Sequence, residues 1–174
     1  MKRLVAIVGP SGAGKDTLID LACAALPDIR AVRRVITRPS TAGGEDFEGV
    51  SPEDFAARLQ SGEFAFHWQA HGLSYGIPKA QLDGEGILLF NASRGILAQA
   101  QAEFPALVVV LVTASPDILE DRLAKRGREG AQDRAARLAR ADFALPKGVK
   151  AHVIHNDGAA EEALAHLLEL LERG

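Results

Sequence analysis

Several features that define other protein classes are scarce in this chain of 174 residues. Cys23 is the only cysteine, which excludes a disulfide framework and a thiolate metal site. The formal net charge is −3, so the composition gives no general attraction to nucleic acid or to an anionic membrane. No apolar run reaches membrane-spanning length, and no secretory signal pattern precedes the first predicted strand. We therefore expect one cytoplasmic globular domain that binds neither nucleic acid nor a membrane.

The motifs of two other common sites are also missing. The histidines at positions 67, 71, 152 and 155 lack the paired spacing of a metal site, so we interpret them as structural or surface residues. His71 is the exception, because it lies near Tyr75 in a segment that could touch a substrate. An Asn-Lys-x-Asp guanine-reading motif is absent, which disfavours a nucleotide-switch GTPase.

The chain does have a phosphate-binding loop near its N-terminus. A short β-branched run precedes this loop, and a helical pattern follows it until Pro27, which is the order that a P-loop requires. The glycines let consecutive amides face one anion, the helix N-terminus adds partial positive charge, and Lys15 reaches the β- and γ-phosphates. We therefore predict that a nucleoside triphosphate is bound by Gly9, Pro10, Ser11, Gly12, Ala13, Gly14, Lys15, Asp16 and Thr17.

The loop departs from the usual pattern at Asp16. A serine or threonine usually follows the lysine and binds Mg²⁺, and a nearby core strand commonly ends in aspartate. Here the predicted strand at 87–90 ends in Asn91 instead. Our hypothesis is that the carboxylate has moved from the strand to the loop, so that Asp16 binds Mg²⁺ and Thr17 contacts the α-phosphate. Mg²⁺ prefers oxygen ligands with a carboxylate among them.

Strand and helix patterns alternate along the rest of the chain. The predicted strands cover 31–37, 64–68, 87–90, 107–112 and 153–154, and the predicted helices begin after Ser51, at Ser93, after Ser115 and at Ala160. A polar loop is expected between the strand at 64–68 and Pro78. This alternation predicts an α/β fold with a doubly wound parallel sheet.

Two segments look inserted into this single domain. Residues 34–79 are richer in charge, glycine and aromatic side chains and are interpreted as a substrate subdomain, and residues 122–140 as a helical lid. The core is then 1–33, 80–121 and 141–174. A series of positive charges on a helix usually marks a solvated face, but a phosphoryl-transfer enzyme needs cations that close over the triphosphate. For any one arginine the two interpretations are evenly weighted, whereas for the segment we favour a lid, whose charges are Arg122, Lys125, Arg126, Arg128, Arg134, Arg137 and Arg140.

Five segments spread over nearly the whole chain form one pattern: the P-loop, Arg34-Val-Ile-Thr-Arg38, Gly44-Glu45, Tyr75-Gly76 and Arg126-Gly127-Arg128. Through this pattern the chain resembles the guanylate kinase superfamily, and the resemblance implies a P-loop fold of the nucleotide-kinase type. A more specific resemblance is to the ribose 1,5-bisphosphate phosphokinases of bacterial phosphonate utilisation, through the segments 33–39, 43–46, 70–78 and 91–94. It implies ATP-dependent, Mg²⁺-dependent phosphorylation of ribose 1,5-bisphosphate to 5-phosphoribosyl 1-diphosphate, with a phosphate group as the acceptor.

The resemblance also implies roles for individual residues. Catalytic cations are expected at Lys15, Arg126, Arg128 and Arg137, and substrate contacts at Arg34, Arg38, Glu45, Tyr75 and Arg94. For Glu45 and Asp46, contacts to ribose hydroxyls and a simple acidic turn stay open as alternatives. Trp68 is expected to lie in the core of the small subdomain rather than to form a stacking platform.

Departures from true guanylate kinases favour a sugar phosphate over a nucleotide acceptor. Those enzymes read the base with a glutamate before the Tyr-Gly pair and a serine after it, where this chain has Phe66 and Ile77. We expect these two side chains to offer only apolar contact, while Arg34 and Arg94 add cations. A guanylate or other nucleoside monophosphate kinase is the alternative. A non-catalytic guanylate kinase-like binding module is less favoured, because Lys15 is present.

Overall fold

The computed structural model describes residues 1–126 and 143–173. In these ranges the helices are α1 (Lys15–Ala25), α2 (Pro52–Gln60), α3 (Leu97–Glu103), α4 (Pro116–Arg126) and α5 (Ala160–Glu172). The strands are β1 (Lys2–Val8), β2 (Ile29–Ala31), β3 (Arg34–Ile36), β4 (Phe47–Gly49), β5 (Phe64–Ala70), β6 (Leu73–Pro78), β7 (Gly86–Asn91), β8 (Val108–Thr113) and β9 (His152–His155). Within the described ranges, no helix is long and apolar enough to cross a bilayer.

Five parallel strands form the main sheet, in the order β2-β7-β1-β8-β9. The central strand β1 is buried, and its alternate side chains enter two different clusters. Val5 and Ile7 pack with α1 and α5, whereas Leu4, Ala6 and Val8 pack with α3 on the other face. Because apolar helices cover both faces, the prediction of an α/β doubly wound parallel sheet is confirmed.

A second, mixed sheet is inserted between β2 and β7, with strand order β4-β3-β6-β5. Strands β3 and β4 are parallel, and β6 pairs antiparallel with both β3 and β5. Its inner side joins the main core through Phe66 and Ile77, which pack beside Phe90. The side away from the main sheet is covered by α2, where Phe55 stacks on Phe64 with ring centroids 4.7 Å apart. The second sheet is thereby fixed against the edge of the first.

Two strand predictions between residues 31 and 78 are wrong. The strand predicted at 31–37 is two strands in different sheets: Val32 still bonds to Leu89 of the main sheet, and Arg34 begins the second sheet. One β-branched run cannot reveal such a change of partner. The segment expected to be a polar loop up to Pro78 contains β6, whose alternating Leu73, Tyr75 and Ile77 were the available signal.

The helix predictions hold with small shifts. Ser51 caps α2 by accepting a hydrogen bond from the Asp54 amide at 3.1 Å, as its sequence pattern predicted. The helix predicted from Ser93 begins as a 3₁₀ turn and becomes α-helical only at Leu97. These capping motifs could be predicted because they depend on neighbours within one turn.

Candidate active site

A cavity of about 520 Å³ lies where the carboxyl ends of the main strands face the second sheet. The P-loop forms one wall, and the second sheet supplies the opposite one. Among the predicted loop residues only Ala13 is absent from the lining, because it is fully buried under the loop. The predicted substrate residues Arg34, Arg38, Glu45, Tyr75 and Arg94 all line this cavity.

Glycine geometry shapes the P-loop. Gly14 has φ +89°, in the left-handed region that favours glycine, and it stands at the N-terminus of α1. A Cβ at Gly14 would lie 2.6 Å from Nδ2 of Asn156, so a side chain would displace a structural contact. A Cβ at Gly9 would collide with the backbone oxygen of Val112. The loop therefore packs closely on the ends of the main strands while the amides before α1 stay directed at the cavity.

Lys15 lies over the loop that it follows. Its Nζ donates to the carbonyl oxygens of Gly9 and Pro10, at 2.8 and 3.0 Å. These contacts hold the ammonium group at the cavity wall, where it can meet the phosphates of a bound nucleotide. An ammonium group acts on phosphate as a compact point charge, so it needs this positioning rather than a fixed fork geometry.

Asp16 and Asn91 are in direct contact. The hypothesis drawn from the sequence was that the metal-binding carboxylate has moved from the strand end at Asn91 to Asp16. Nδ2 of Asn91 donates to Oδ1 of Asp16 at 2.9 Å, and both side chains line the cavity. One turn along α1, partial burial and then the charges of Asp16 and Asp46 raise the pKa of Asp20. Of these two carboxylates of α1, only that of Asp16 lines the cavity, where a divalent cation would meet it.

The donor set fits Mg²⁺ bound mainly through phosphates. In residues 1–126 and 143–173, no group of three or more His, Cys, Asp or Glu side chains could hold a metal ion by itself. Mg²⁺ is usually held by one or two carboxylates together with substrate phosphates and waters, which matches a single carboxylate at Asp16. The assignment of Asp16 as a metal ligand stays a hypothesis.

Arg34 is buried at the boundary between the two sheets, with 8% of its surface exposed. Its Nε donates to Oε2 of Glu45 at 3.0 Å, its Nη2 also binds Glu45, and its Nη1 donates to the Asn91 carbonyl at 3.4 Å. Glu45 is therefore the counter-ion of Arg34, a role that neither of the alternatives predicted for it included. The pair makes this part of the wall nearly neutral, so Arg34 contributes less net positive charge than its sequence position implied.

Arg38 presents an unused donor in the cavity wall. Its Nη2 donates to the Gly43 carbonyl at 3.1 Å, and its guanidinium lies 4.3 Å from the centroid of Phe47. Its Nε is buried without a hydrogen-bond partner among the described residues. A buried guanidinium N–H of this kind is suited to an anion that approaches from the cavity.

Arg94 lies on the opposite rim of the cavity. Its Nη1 donates to the Ala144 carbonyl at 3.3 Å, and its guanidinium lies 4.6 Å from the centroid of Phe143. The side chain is thus held against the segment that follows residue 142, and its charge still borders the cavity. Arg38 and Arg94 therefore face the site from two sides.

Three aromatic or apolar predictions need correction. Phe66 and Ile77 do not contact the cavity at all, because β5 and β6 turn both side chains into the core, where they are 1% and 0% exposed. Trp68 packs partly against that core but also lines the cavity, and it stacks on Tyr75. The alternation of a strand places residues 66 and 68 on the same face, yet Phe66 is enclosed in the core while Trp68 reaches the cavity. The spacing of residues along the strand does not show this difference.

Two residues that support the P-loop were missed. The buried Asn156 follows β9, and its Nδ2 donates to the Ala13 carbonyl at 2.8 Å. Arg122 of α4 joins the same structure, since its Nη1 donates to the Gly12 carbonyl at 3.1 Å and its Nη2 to the Asn156 carbonyl at 2.6 Å. Arg122 was predicted as the first cation of the lid, but its contacts belong to the loop.

Replacing Arg122 by alanine should therefore weaken ATP binding. A hydrogen bond to a charged group contributes about 1.5–3 kcal/mol, and Arg122 makes two that hold the loop in place. We expect the KM for ATP to rise about tenfold, which corresponds to the lower end of that range. Lys125→Ala on the same helix is the matched control, because its exposed pair with Asp121 touches no part of the loop. An unchanged ATP KM in Arg122→Ala would show that the loop needs no such support.

The remaining predicted lid residues fall at or beyond the end of α4. Arg126 is the last residue of α4. Arg128 and Arg137 lie outside the described residues. The catalytic roles predicted for these three arginines stay predictions.

Comparisons with known proteins agree with this architecture. The guanylate kinase family model matches residues 1–174. A ribose 1,5-bisphosphate phosphokinase PhnN from Ruegeria sp. (strain TM1040) is 45% identical over 173 residues, which cover 97% of this chain and 91% of that protein. The bifunctional ribose 1,5-bisphosphokinase-thymidine phosphorylase of Cupriavidus necator is 46% identical over 172 residues, which are 97% of this chain but 29% of that longer protein.

A solved structure is similar in fold. The guanylate kinase from Anaplasma phagocytophilum superposes with a TM-score of 0.73 and 18% sequence identity, covering 99% of this chain and 85% of that one. At this identity the likeness concerns the fold alone, whereas the Ruegeria relative, at 45% identity, can be aligned over nearly the whole sequence. The chain therefore belongs to the guanylate kinase family of P-loop kinases and, within it, to the group of the ribose 1,5-bisphosphate phosphokinases.

Proposed function

We propose that this chain transfers the γ-phosphoryl group of ATP to the 1-phosphate of ribose 1,5-bisphosphate. An oxygen of the 1-phosphate forms a new bond to the γ-phosphorus, the bond from that phosphorus to the β–γ bridging oxygen breaks, and the products are 5-phosphoribosyl 1-diphosphate and ADP. One observation carries the proposal: the wall opposite the P-loop holds arginines, whereas the side chains at the two predicted base-reading positions, Phe66 and Ile77, lie in the core and outside the cavity. The relatives named for this activity support it.

The acceptor determines what the protein must do. A phosphate oxygen is already ionised near neutral pH, so no general base is needed to create the nucleophile. The chain's residues have to bring two highly charged groups together and hold them in line. Lys15 and the amides of the P-loop bind the donor, while Arg38 and Arg94, which face the site from two sides, hold the acceptor.

Asp16 and Thr17 are suited to hold the metal ion and a phosphate at the same end of the cavity. Mg²⁺ held there by Asp16 would supply positive charge that offsets the charge of the phosphates. Asn91 contributes by fixing the Asp16 carboxylate through its amide. The contact with Asn91 supports the hypothesis that the metal-binding carboxylate is Asp16, next to the loop, and not a residue at the end of β7.

A lid is part of the same proposal. We assign residues 34–79 to acceptor binding and residues 122–140 to a lid whose Arg126, Arg128 and Arg137 close over the triphosphate. Because Arg122 contacts the P-loop, its own role is to support the loop. Closure would exclude water, which would otherwise hydrolyse ATP, and would add cations where charge develops in the transition state.

A panel of acceptors tests the function together with the role of Arg38. ADP release should be efficient with ribose 1,5-bisphosphate and poor with GMP, AMP and ribose 5-phosphate. Arg38→Ala should lower kcat/KM for the bisphosphate by about ten- to a hundredfold, since a charged hydrogen bond is lost, while the KM for ATP changes little. Arg33→Ala is the matched control, because its guanidinium pairs with Asp46 and does not line the cavity.

The outcomes separate the alternatives. If GMP is phosphorylated as efficiently as ribose 1,5-bisphosphate, the proposed acceptor is wrong and a nucleoside monophosphate kinase replaces it. If ADP is formed with none of the acceptors while ATP still binds, the protein is a non-catalytic binding module. If Arg38→Ala raises the KM for ATP and leaves kcat/KM for the acceptor unchanged, the donor and acceptor ends of the cavity are the reverse of those proposed.

A further inference from the structure

Two aromatic rings stand side by side in the cavity wall. Trp68 of β5 and Tyr75 of β6 are directly paired across the two strands, so their side chains lie on the same face of the second sheet. Their rings are nearly parallel, with an interplanar angle of 2° and centroids 5.5 Å apart. They are the only tryptophan and the only tyrosine of the chain.

This pair lies at the end of the cavity remote from the P-loop. A line of contacts leads there: Asp16 at the loop bonds to Asn91, and the Asn91 carbonyl accepts from Arg34. The Arg34 guanidinium carbon then lies 5.0 Å from the centroid of Tyr75 and 5.8 Å from that of Trp68. An acceptor whose phosphate faces the P-loop would point its far end at these rings.

Among the residues that the structure describes, the groups at this end of the cavity are largely engaged with one another instead of being open to a nucleobase. A base is held by stacking on an aromatic face or by hydrogen bonds to polar side chains. Here Trp68 covers the Tyr75 ring, and the Arg34 guanidinium and the Glu45 carboxylate bind each other. In addition, an indole and a purine are both fused bicyclic rings of similar size, so the indole fills a volume comparable to that of a base.

We propose that Trp68 determines acceptor specificity: its indole, stacked on Tyr75, takes the space that a nucleobase would need. The cavity then admits a pentose that carries a second phosphate but excludes a nucleoside monophosphate, in which a base follows the ribose. This inference rests on the proposed function, because it assumes that the acceptor's phosphate faces the P-loop. It assigns Trp68 a part in rejecting the wrong acceptor, beyond its packing against the core.

Trp68→Ala tests the inference directly. We expect the ratio of kcat/KM for GMP or AMP to that for ribose 1,5-bisphosphate to rise about tenfold or more, since discrimination by filled space is typically of that size. Trp68→Phe, which keeps a smaller ring, should give an intermediate ratio. The matched control is Phe55→Ala, which removes a ring from the stack on the other side of the same sheet. It should lower thermal stability and leave the ratio unchanged.

Two further measurements keep the test decisive if Trp68→Ala is poorly active. Calorimetric titration with GMP should detect binding to Trp68→Ala that the unmodified protein lacks, and added indole should compete with it by refilling the space. If a folded Trp68→Ala variant shows neither GMP binding nor competition by indole, the inference is wrong. It is also wrong if the ratio of kcat/KM values rises equally in the Phe55→Ala control. If the unmodified protein itself fails to phosphorylate ribose 1,5-bisphosphate, the proposed function falls, whereas an unchanged ratio in a working Trp68→Ala enzyme removes only the role of Trp68.

Discussion

Replacing Asp16 by alanine should nearly abolish phosphoryl transfer and raise the Mg²⁺ concentration needed for half-maximal activity. In the described part of the chain, Asp16 is the only carboxylate of α1 that lines the cavity, and Asn91 holds its orientation. Loss of a group that merely orients a metal ligand typically costs ten- to a hundredfold, so loss of the ligand itself should cost at least about a hundredfold. Initial rates measured against Mg²⁺ at fixed ATP would report both effects.

Two variants make the Asp16 result specific. Asp16→Asn keeps the size of the side chain but lacks the charge, so it should be almost as defective as Asp16→Ala if the carboxylate binds the metal. Asp20→Asn removes a carboxylate one turn further along α1, which does not line the cavity, and should keep a normal Mg²⁺ requirement. Normal turnover and magnesium dependence in Asp16→Ala would refute the idea that the carboxylate has moved from β7 to the loop.

Lys15→Ala should lower kcat about as strongly as Asp16→Ala, because Lys15 acts on the phosphates of the donor ATP. The Gly9 and Pro10 carbonyls hold the Lys15 ammonium at the cavity wall. In this position it can stabilise the negative charge that develops on the transferring phosphoryl group. Removing one preorganised donor of this kind commonly lowers kcat by about 10²–10³. Because the acceptor binds at the other end, its affinity should change little. The fluorescence of the single tryptophan, Trp68, can measure that affinity without turnover.

Comparison with Arg38→Ala completes the Lys15 test. The two variants should show opposite patterns: Lys15→Ala loses turnover with acceptor binding retained, and Arg38→Ala loses acceptor use with ATP binding retained. Lys15→Arg should recover little, since a planar guanidinium does not reproduce the position of a compact ammonium. Equal losses of donor and acceptor affinity in Lys15→Ala would mean that the lysine shapes the whole cavity instead of acting on ATP.

Local sequence signals predicted the donor half of the site. The order of strand, glycine-rich loop and helix depends on neighbouring residues, and the structure has it with Gly14 in the left-handed region before α1. The contact between Asp16 and Asn91 agrees with this order, because Asp16 lies in the first turn of α1, which follows β1, and Asn91 ends the neighbouring parallel strand β7 at the same sheet edge.

The acceptor half was less predictable because it depends on contacts between distant segments. The chain leaves one sheet for the other between Val32 and Arg34, and the strand pattern of residues 31–37 does not show this change of partner. The neutralisation of Arg34 by Glu45 and the stacking of Trp68 both require the register of the second sheet. Strand patterns identify which residues alternate but not which strands become neighbours.

The support of the P-loop by Asn156 also has a consequence for the order in which the protein can become functional. Ala13 and Asn156 are separated by 143 residues, so a chain emerging from the ribosome carries its phosphate loop long before it carries the amide that holds the loop's carbonyl. Proteins are synthesised from the N-terminus at about 5–20 residues per second, so the loop waits several seconds for its partner. A nascent chain of this protein would therefore have little means of capturing nucleotide until β9 has added to the edge of the sheet, and nucleotide could stabilise the fold only after that step.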